Sequence, residues 1–325
     1  MSDNSAIEWC DTTWNPVLGC TRVSPGCDSC YAIVQARIRA GNPNPKVAAA
    51  FAGLTERANG RVDWTGQVNL LPERLEQPFR WRNPRKVFVN SLADLFHKNV
   101  PDEFIAQVFE VMAATPQHTY QVLTKQQARL RAWLNRCQPW SGYITHNGHP
   151  PSSYGGSGVI VGNTDTWPLR NVWIGVSVES QKWADIRIPA LLDTPAATRF
   201  VSAEPLLGPV NLAPWLPVPA GAFCEAHWSW LCGNDINGGE CRRTRLSWVI
   251  AGGESGPGAR PMSEDWARAI VWQGRSTRVP VFVKQLGSVL GRQMGAGSKG
   301  GDWDAWPEDL RVREFPVAAG LAGAR

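Results

Sequence analysis

Short apolar runs that recur along most of the chain constrain its fold more than any other feature. Each run is rich in β-branched or aromatic residues and is nearly continuous, which is typical of strands buried on both faces of a parallel sheet. Six runs cover residues 87–90, 120–124, 172–178, 199–203, 248–251 and 281–284, and residues 12–17 can form another strand ahead of them. The chain is therefore expected to contain seven buried strands.

Helical segments separate most of these runs. The clearest covers residues 101–114, where Pro101 and two acidic residues give the start signals and an apolar stripe repeats at helical spacing. Further helices are predicted over residues 31–40, 126–137, 181–192 and 264–274. The alternation predicts an α/β chain of right-handed βαβ units in a partial or complete (β/α) barrel. A doubly wound open sheet is the alternative.

Two segments interrupt the alternation. The length of 325 residues suits one barrel domain over residues 1–325. Residues 138–168 contain a Gly/Ser-rich stretch and are interpreted as a flexible insertion, and residues 211–246 as a second insertion. Residues 43–70 are expected to be irregular, and the tail from residue 300 to 316 is expected to be a docked polar segment.

Three of the eight cysteines lie in one loop after the first predicted strand. Cys20, Cys27 and Cys30 have the spacing C-x6-C-x2-C, with glycine and proline among them, so the loop can wrap its thiolates around one centre. A [4Fe–4S] cluster with three protein ligands keeps one iron open to a small molecule, and this set fits that requirement. A structural zinc site with Cys10 as fourth ligand and a chance grouping of thiols are the alternatives.

A second group of metal-binding residue types falls in the later insertion. It consists of Cys224, His227, Cys232 and Cys241. Three cysteines and a histidine can hold zinc and so fasten a segment with little core of its own. A second iron–sulfur cluster and an ordinary loop with solvated thiols are the alternatives.

Polar residues follow the predicted strands at the point where each strand ends. The candidates for cofactor binding are Asp94, Lys125, Ser177, Glu179, Ser202, Glu204, Gly252, Gly253 and Glu254. Barrel active sites are built at the carboxyl ends of the strands, so these residues predict a site on the rim that also carries the cysteine loop. The two glycines let a ligand approach the backbone, and Glu254 can bind an amino group. The alternative is that polar residues only mark strand ends.

Seven motifs spread over nearly the whole chain resemble those of one known family. They are WNP at 14–16, the cysteine motif ending CYA at 30–32, NSLADLFH at 90–97, GVSVE at 175–179, SAEPL at 202–206, GGESG at 252–256 and WPEDLR at 306–311. The chain is similar to the phage- and prophage-associated three-cysteine-motif family of radical S-adenosylmethionine-like proteins. The first cysteine gap is three residues longer than in the commonest radical-SAM pattern, C-x3-C-x2-C, and Ser29 stands where that pattern often has an aromatic residue.

This resemblance implies a partial barrel of the radical-SAM type, a [4Fe–4S] cluster on Cys20, Cys27 and Cys30, and bound S-adenosyl-L-methionine. The implied reaction is reductive cleavage of that cofactor to a 5′-deoxyadenosyl radical, which abstracts hydrogen from an unknown substrate. By position, Asp94 or Glu254 is expected to bind the methionine ammonium and Lys125 its carboxylate. The remaining strand-end side chains are expected to contact ribose or substrate; they are Ser177, Glu179, Ser202 and Glu204.

The expected partners are an electron donor such as flavodoxin or ferredoxin and a substrate that is a nucleic acid or a nucleotide. The net charge of +5 is compatible with nucleic acid, and the basic run at residues 80–86 contains Trp81, which could stack on a base. No stretch of eighteen apolar residues and no secretory signal occurs, so we expect a cytoplasmic protein without a membrane partner.

Two other functions compete with this interpretation. The chain could be a non-catalytic nucleic-acid-binding protein with a structural metal site. It could also be a carboxylate-dependent barrel hydrolase that uses Glu179, Glu204 and Glu254 as acid and base.

Overall fold

The computed structural model describes residues 5, 7–58, 60–140, 143–146, 159–162, 166–217 and 245–316. These residues contain strands β1 (Thr12–Trp14), β2 (Val17–Leu18), β3 (Thr55–Ala58), β4 (Arg61–Trp64), β5 (Asn69–Leu70), β6 (Lys86–Val89), β7 (Thr119–Thr124), β8 (Cys137–Trp140), β9 (Tyr143–His146), β10 (Val159–Gly162), β11 (Val172–Ser177), β12 (Thr198–Ala203), β13 (Trp248–Gly252) and β14 (Val281–Gln285). The helices are α1 (Tyr31–Ala40), α2 (Pro45–Phe51), α3 (Asp102–Ala114), α4 (Gln127–Leu134), α5 (Gln181–Leu192), α6 (Glu264–Thr277) and α7 (Ser288–Gln293).

The chain divides into two compact units. The first contains residues 1–176 and 194–197, and the second contains residues 177–193 and 198–325. In the first unit, four parallel strands lie in the order β1-β6-β7-β11. In the second, three parallel strands lie in the order β12-β13-β14.

The core of the first unit explains why its strands read as continuous apolar runs. Every residue of β11 is buried, as expected for a strand covered on both faces. Helix α3 follows β6 and buries the stripe predicted for it, namely Phe104, Ile105, Val108, Phe109 and Met112. Trp133 of α4 packs against Phe109 with ring centroids 5.1 Å apart. Large aromatic rings thus supply much of the buried apolar area.

One prediction for the first unit is wrong. Residues 43–70 are not irregular, because they contain α2, the antiparallel β3–β4 hairpin and β5, which pairs with β2. The described parts of the predicted insertion at residues 138–168 contribute to an antiparallel sheet in the order β10-β9-β8. The rest of that insertion lies outside the described residues.

The second unit is built around Trp248 of β13. Its ring centroid lies 5.5 Å from that of Phe200 on β12 and 6.3 Å from that of Phe282 on β14. The tail is docked, as expected: the indole Nε1 of Trp248 donates to the carbonyl of Glu314 at 2.9 Å, and Glu314 N donates to Val281 O at 2.9 Å. The tail therefore covers the edge next to β14.

The predicted α/β class and the seven predicted strands are confirmed. Helix bounds agree closely for α1 and α5, whereas α4 ends at Leu134 and Cys137 begins β8 instead of ending the helix. The first strand is also shorter than predicted, since β1 ends at Trp14 and β2 pairs elsewhere. Among the residues described, every helix is too short or too polar to cross a membrane.

Candidate functional site

The cysteine loop begins at a glycine that the fold requires. Gly19 has φ +92, and a Cβ placed on it would lie 2.3 Å from the carbonyl oxygen of Gln67. Its N–H donates to Leu92 O at 3.3 Å, and it forms a parallel bridge with Ala93. Only glycine combines this backbone conformation with this close approach. The start of the loop is thereby fixed against the segment that follows β6.

Short-range hydrogen bonds shape the rest of the loop. A 3₁₀ turn covers Pro25–Cys27, in which Cys27 N donates to Ser24 O at 2.9 Å. Cys30 then caps the N-terminus of α1 in an extended conformation. The next residue, Tyr31, donates its hydroxyl proton to Ser91 O at 2.6 Å. The three cysteines thus lie on one loop that ends at a helix start.

The three thiols lie close enough to affect one another electrostatically, and none forms a disulfide. Burial raises the pKa of the Cys20 thiol, and the nearby Asp94 carboxylate and the other two loop cysteines raise it further. Burial also raises the pKa of Cys30, while Lys125 lowers it and Cys27 raises it. Without a metal, Cys20 and Cys30 are therefore protonated thiols at neutral pH.

A mononuclear zinc site needs four donors around one ion. Within the described ranges, no group of three or more His, Cys, Asp or Glu residues is able to hold a metal ion, and this includes the three loop cysteines. Cys10, the suggested fourth zinc ligand, instead donates to Ser5 Oγ at 3.2 Å. A cubane cluster needs three thiolates bound to different irons, which stay separated by the cluster itself.

Asp94 organises the strand ends beside this loop. Its Oδ1 accepts from Thr124 Oγ1 at 2.7 Å and from Phe96 N at 3.0 Å, and its Oδ2 accepts from Lys125 N at 2.9 Å. The carboxylate is buried and is used to hold the turn after β7. The predicted residues Asp94 and Lys125 are thus brought to the cysteine loop.

Sequence reasoning did not assign Asn90, although it directly follows β6. Asn90 is buried and adopts φ 59, a left-handed conformation that asparagine tolerates. Its N–H donates to Trp14 O at 2.7 Å, and its Oδ1 accepts from Val17 N at 3.2 Å. The side chain therefore ties the end of β6 to the segment that leads into Cys20. A polar residue at a strand end was the available signal.

His97 was likewise not assigned. It is fully buried, its Nδ1 accepts from Asn99 N at 3.2 Å, and its Nε2 donates to Thr21 Oγ1 at 3.2 Å. Burial lowers the pKa of His97 below its ordinary value. The ring is therefore neutral and supports the residue that follows Cys20.

In the second unit, Glu179 forms a buried ion pair. Its Oε2 accepts from Arg187 Nη1 at 2.9 Å, and the same nitrogen donates to Ser177 O at 2.8 Å. The two charged side chains are 1% and 0% exposed. The guanidinium also stacks on the Trp183 ring, 4.2 Å from its centroid. Ser177 and Glu179 are thus joined through Arg187.

Glu204 forms an ion pair with Lys284 of β14. Lys284 Nζ lies 3.1 Å from Glu204 Oε1, and Ser202 Oγ donates to Glu204 Oε2 at 3.2 Å. A Cβ on Gly252 would lie 2.7 Å from Glu204 Oε1. These four residues come together at the carboxyl ends of β12, β13 and β14.

Glu254 is held by Arg260. Its Oε2 accepts from Arg260 N at 2.8 Å and from Nε at 2.9 Å, and its Oε1 accepts from Nη2 at 2.6 Å. A Cβ on Gly253 would lie 2.5 Å from Leu286 O, so the chain itself occupies the space beside this glycine. Each of the three strand-end glutamates therefore has a cationic partner.

Trp81, the aromatic residue of the basic run, is half-buried. Its ring lies edge-on to His118 with centroids 5.5 Å apart, and Arg85 lies 5.5 Å from its centroid. The exposed charges of the run are at Arg80 and Arg82.

The second predicted metal group lies outside the described residues. This applies to Cys224, His227, Cys232 and Cys241.

Comparison with known proteins gives one match. A family described as "Protein of unknown function (DUF5131)" matches residues 4–308, which include the cysteine loop and all of the strand-end candidates. No curated protein and no solved structure matches the chain. The chain therefore belongs to the DUF5131 family of proteins of unknown function.

Proposed function

We propose that the chain is a radical S-adenosylmethionine-type enzyme in which Cys20, Cys27 and Cys30 hold a [4Fe–4S] cluster on a partial (β/α) barrel. One observation carries the proposal: three free thiols of a single loop lie at the carboxyl end of β1, and Cys27 is close enough to help raise the pKa of both Cys20 and Cys30. Three neighbouring thiolates are the donor set that leaves one iron open.

When bound, the cluster and S-adenosylmethionine supply one-electron chemistry that removes hydrogen from a substrate. The chain's own residues bind and shield these groups. Cys20 and Cys30 lose protons on loading, because burial raises their pKa in the metal-free protein. Lys125 supplies a cation next to Cys30, which suits a carboxylate such as that of methionine.

Both candidate ligands for the methionine ammonium, Asp94 and Glu254, already accept hydrogen bonds from the chain itself. The carboxylate of Glu254 is satisfied three times by Arg260, and that of Asp94 by a hydroxyl and two backbone N–H groups. An ammonium that binds to either carboxylate therefore shares it with these donors.

The proposed partners are an electron donor of the flavodoxin or ferredoxin kind and a nucleic acid or nucleotide substrate, in the cytoplasm. The donor is required because the chemistry consumes an electron. Nucleic acid is supported by the net charge of +5 and by the exposed arginines of the basic run.

Two competing functions have less support. A hydrolase needs a carboxylate free to take up a proton, but Glu179, Glu204 and Glu254 are each paired with a cation. A nucleic-acid-binding protein with a structural zinc needs a closed four-ligand site, but Cys10, the suggested fourth ligand, donates instead to Ser5 Oγ.

Anaerobic reconstitution with iron and sulfide tests the proposal. The wild-type chain should gain a brown chromophore and, after reduction, convert S-adenosylmethionine to 5′-deoxyadenosine. Cys27→Ala should lose both properties, whereas Cys137→Ala, in β8, should keep them. Metal uptake without cleavage would support the binding protein, and no uptake at all would support the hydrolase. Unchanged iron content in Cys27→Ala would refute the ligand assignment.

A further inference from the structure

An arginine inside the cysteine loop hydrogen-bonds both to the loop backbone and to a side chain outside the loop, and together they form a brace. Arg22 lies between Cys20 and Cys27, and its Nη1 donates to the carbonyl oxygen of Cys27. Its Nε donates to both carboxylate oxygens of Asp63, at 2.8 and 2.9 Å. One guanidinium thus joins the backbone of Cys27 to the side chain of Asp63, which lies 41 positions after Arg22.

Asp63 fixes the orientation of the Arg22 guanidinium in this brace. It belongs to β4, in the β3–β4 hairpin, and its Oδ1 also accepts from Trp64 N at 2.7 Å. That hydrogen bond fixes the carboxylate, which in turn fixes the plane of the guanidinium. The other backbone hydrogen bonds of Cys27 are short-range ones, to Ser24 O and from Cys30 N at 3.4 Å. Arg22 therefore adds a long-range hydrogen bond to the short-range ones that hold the middle cysteine.

The pair is too exposed to be explained by folding stability. The side chains of Arg22 and Asp63 are 28% and 44% exposed, and ion pairs of that exposure contribute little to stability. A role in positioning the loop is better supported than a role in stability, because the six residues between Cys20 and Cys27 can adopt many conformations. A three-thiolate site requires one of these conformations, and the brace selects it.

We propose that Arg22, anchored by Asp63, is a positioning residue that sets the orientation of Cys27 for metal binding. This inference rests on the proposed function in naming the metal, but the brace exists in the metal-free chain. The guanidinium also puts a positive charge beside the loop, which stabilises the more negative, reduced form of a bound cluster. Position and charge can be separated by substitution.

The first test uses the metal-free full chain. In Asp63→Asn, alkylation of Cys27 by iodoacetamide and tryptic cleavage after Arg22 should both be severalfold faster than in wild type. Glu56→Gln is the matched control, because Glu56 faces Asp63 across the same hairpin and carries the same charge. Cys10, outside the loop, serves as the internal reference for alkylation. Equal rates in all three proteins would overturn the proposal.

The second test uses iron-loaded protein. Arg22→Lys keeps the positive charge but cannot donate to Asp63 and to Cys27 O at the same time with a planar group. Cys27 of this variant should therefore be alkylated faster in the metal-free state, while the midpoint potential of its cluster should stay near that of wild type. Arg22→Gln loses both, so its midpoint potential should fall as well. Identical potentials in the two variants would refute the role of the charge. Failure of the wild-type chain to load iron would refute the proposed function, while the alkylation rates would still decide the brace.

Discussion

At the scale of single residues, several buried charged and titratable side chains of the described residues are held by partners that fix their position. The buried pair of Glu179 and Arg187 and the buried rings of His97 and His118 are the clearest cases. Because these groups are buried, the stability of the fold should depend on the partner of the ion pair and, through the histidines, on pH.

Removing the carboxylate of Glu179 should be severely destabilising. Glu179→Ala leaves the buried charge of Arg187 without it, and breaking such a pair costs about 3–5 kcal/mol. Urea unfolding should show this as a lower midpoint. Glu76→Ala is the control, since Glu76 pairs with Arg80 where both side chains are 72% exposed, and its effect should stay within about 1 kcal/mol. Similar losses in the two variants would contradict the assigned burial.

Acid should destabilise the fold through its buried histidines. Burial lowers the pKa of His118 from the ordinary 6.5, while its Nε2 donates to Pro78 O at 3.2 Å. The unfolded chain then binds more protons than the folded one, so stability is present above pH 6.5 and is lost as pH falls through the lower folded pKa. Urea midpoints measured from pH 7.5 downward should decrease.

His118→Gln tests this origin, because glutamine can still donate to Pro78 O but does not titrate. The variant should lose less stability on acidification than wild type, although His97, with a pKa shifted in the same direction, still contributes. The same pH slope in both proteins would exclude His118 as a source.

At the scale of elements, close packing between a helix and the following strand overrides helix propensity in the second unit. Gly274 lies inside α6, where glycine is unfavourable. A Cβ there would lie 2.2 Å from Cγ2 of Val281, at the start of β14, and 2.8 Å from Val279 O. The glycine lets the helix and the strand approach each other.

Gly274→Ala should therefore destabilise the protein despite a propensity gain of about 1 kcal/mol. Overpacking of this kind costs about 1–3 kcal/mol, and part of that should be recovered when Val281→Ala is added. Ser276→Ala, on the exposed side of the same helix, is the control and should leave the thermal midpoint nearly unchanged. A more stable Gly274→Ala would contradict the close packing.

Elements also show what the sequence could predict. The parallel strands were found because β-branched and aromatic residues run continuously through them, and α3 because its stripe repeats every three to four residues. The β3–β4 hairpin was missed since its strands are largely polar, although Asn59-Gly60 in the sequence is a hairpin signal. The pairing of Glu204 with Lys284 was missed because the two residues are distant in sequence.

At the scale of the whole molecule, the positive net charge has a measurable consequence. With a charge of +5, binding of a random single-stranded oligonucleotide should weaken steeply as salt increases. Fluorescence anisotropy at low and moderate salt measures this dependence. Weak binding that is independent of salt would argue against nucleic acid as the substrate.

The location of the positive surface can be tested by comparing two double variants that have the same net charge. Arg80→Gln with Arg82→Gln should lower affinity and reduce the salt slope by about one for each phosphate that the protein no longer neutralises. Arg57→Gln with Arg61→Gln removes two exposed charges from the β3–β4 hairpin instead and should have a smaller effect. Equal effects would mean that net charge alone governs binding.

The glycine at the start of the cysteine loop restricts how this family can diverge. Since Gly19 has no room for a side chain beside Gln67 O, we expect the loop to change length downstream of this glycine, between Cys20 and Cys27. Insertions and deletions among relatives should therefore cluster there and lengthen or shorten the first gap, while the glycine remains in every member. The long first gap would then be a variation in the part of the loop where added residues meet fewer steric restrictions than at Gly19.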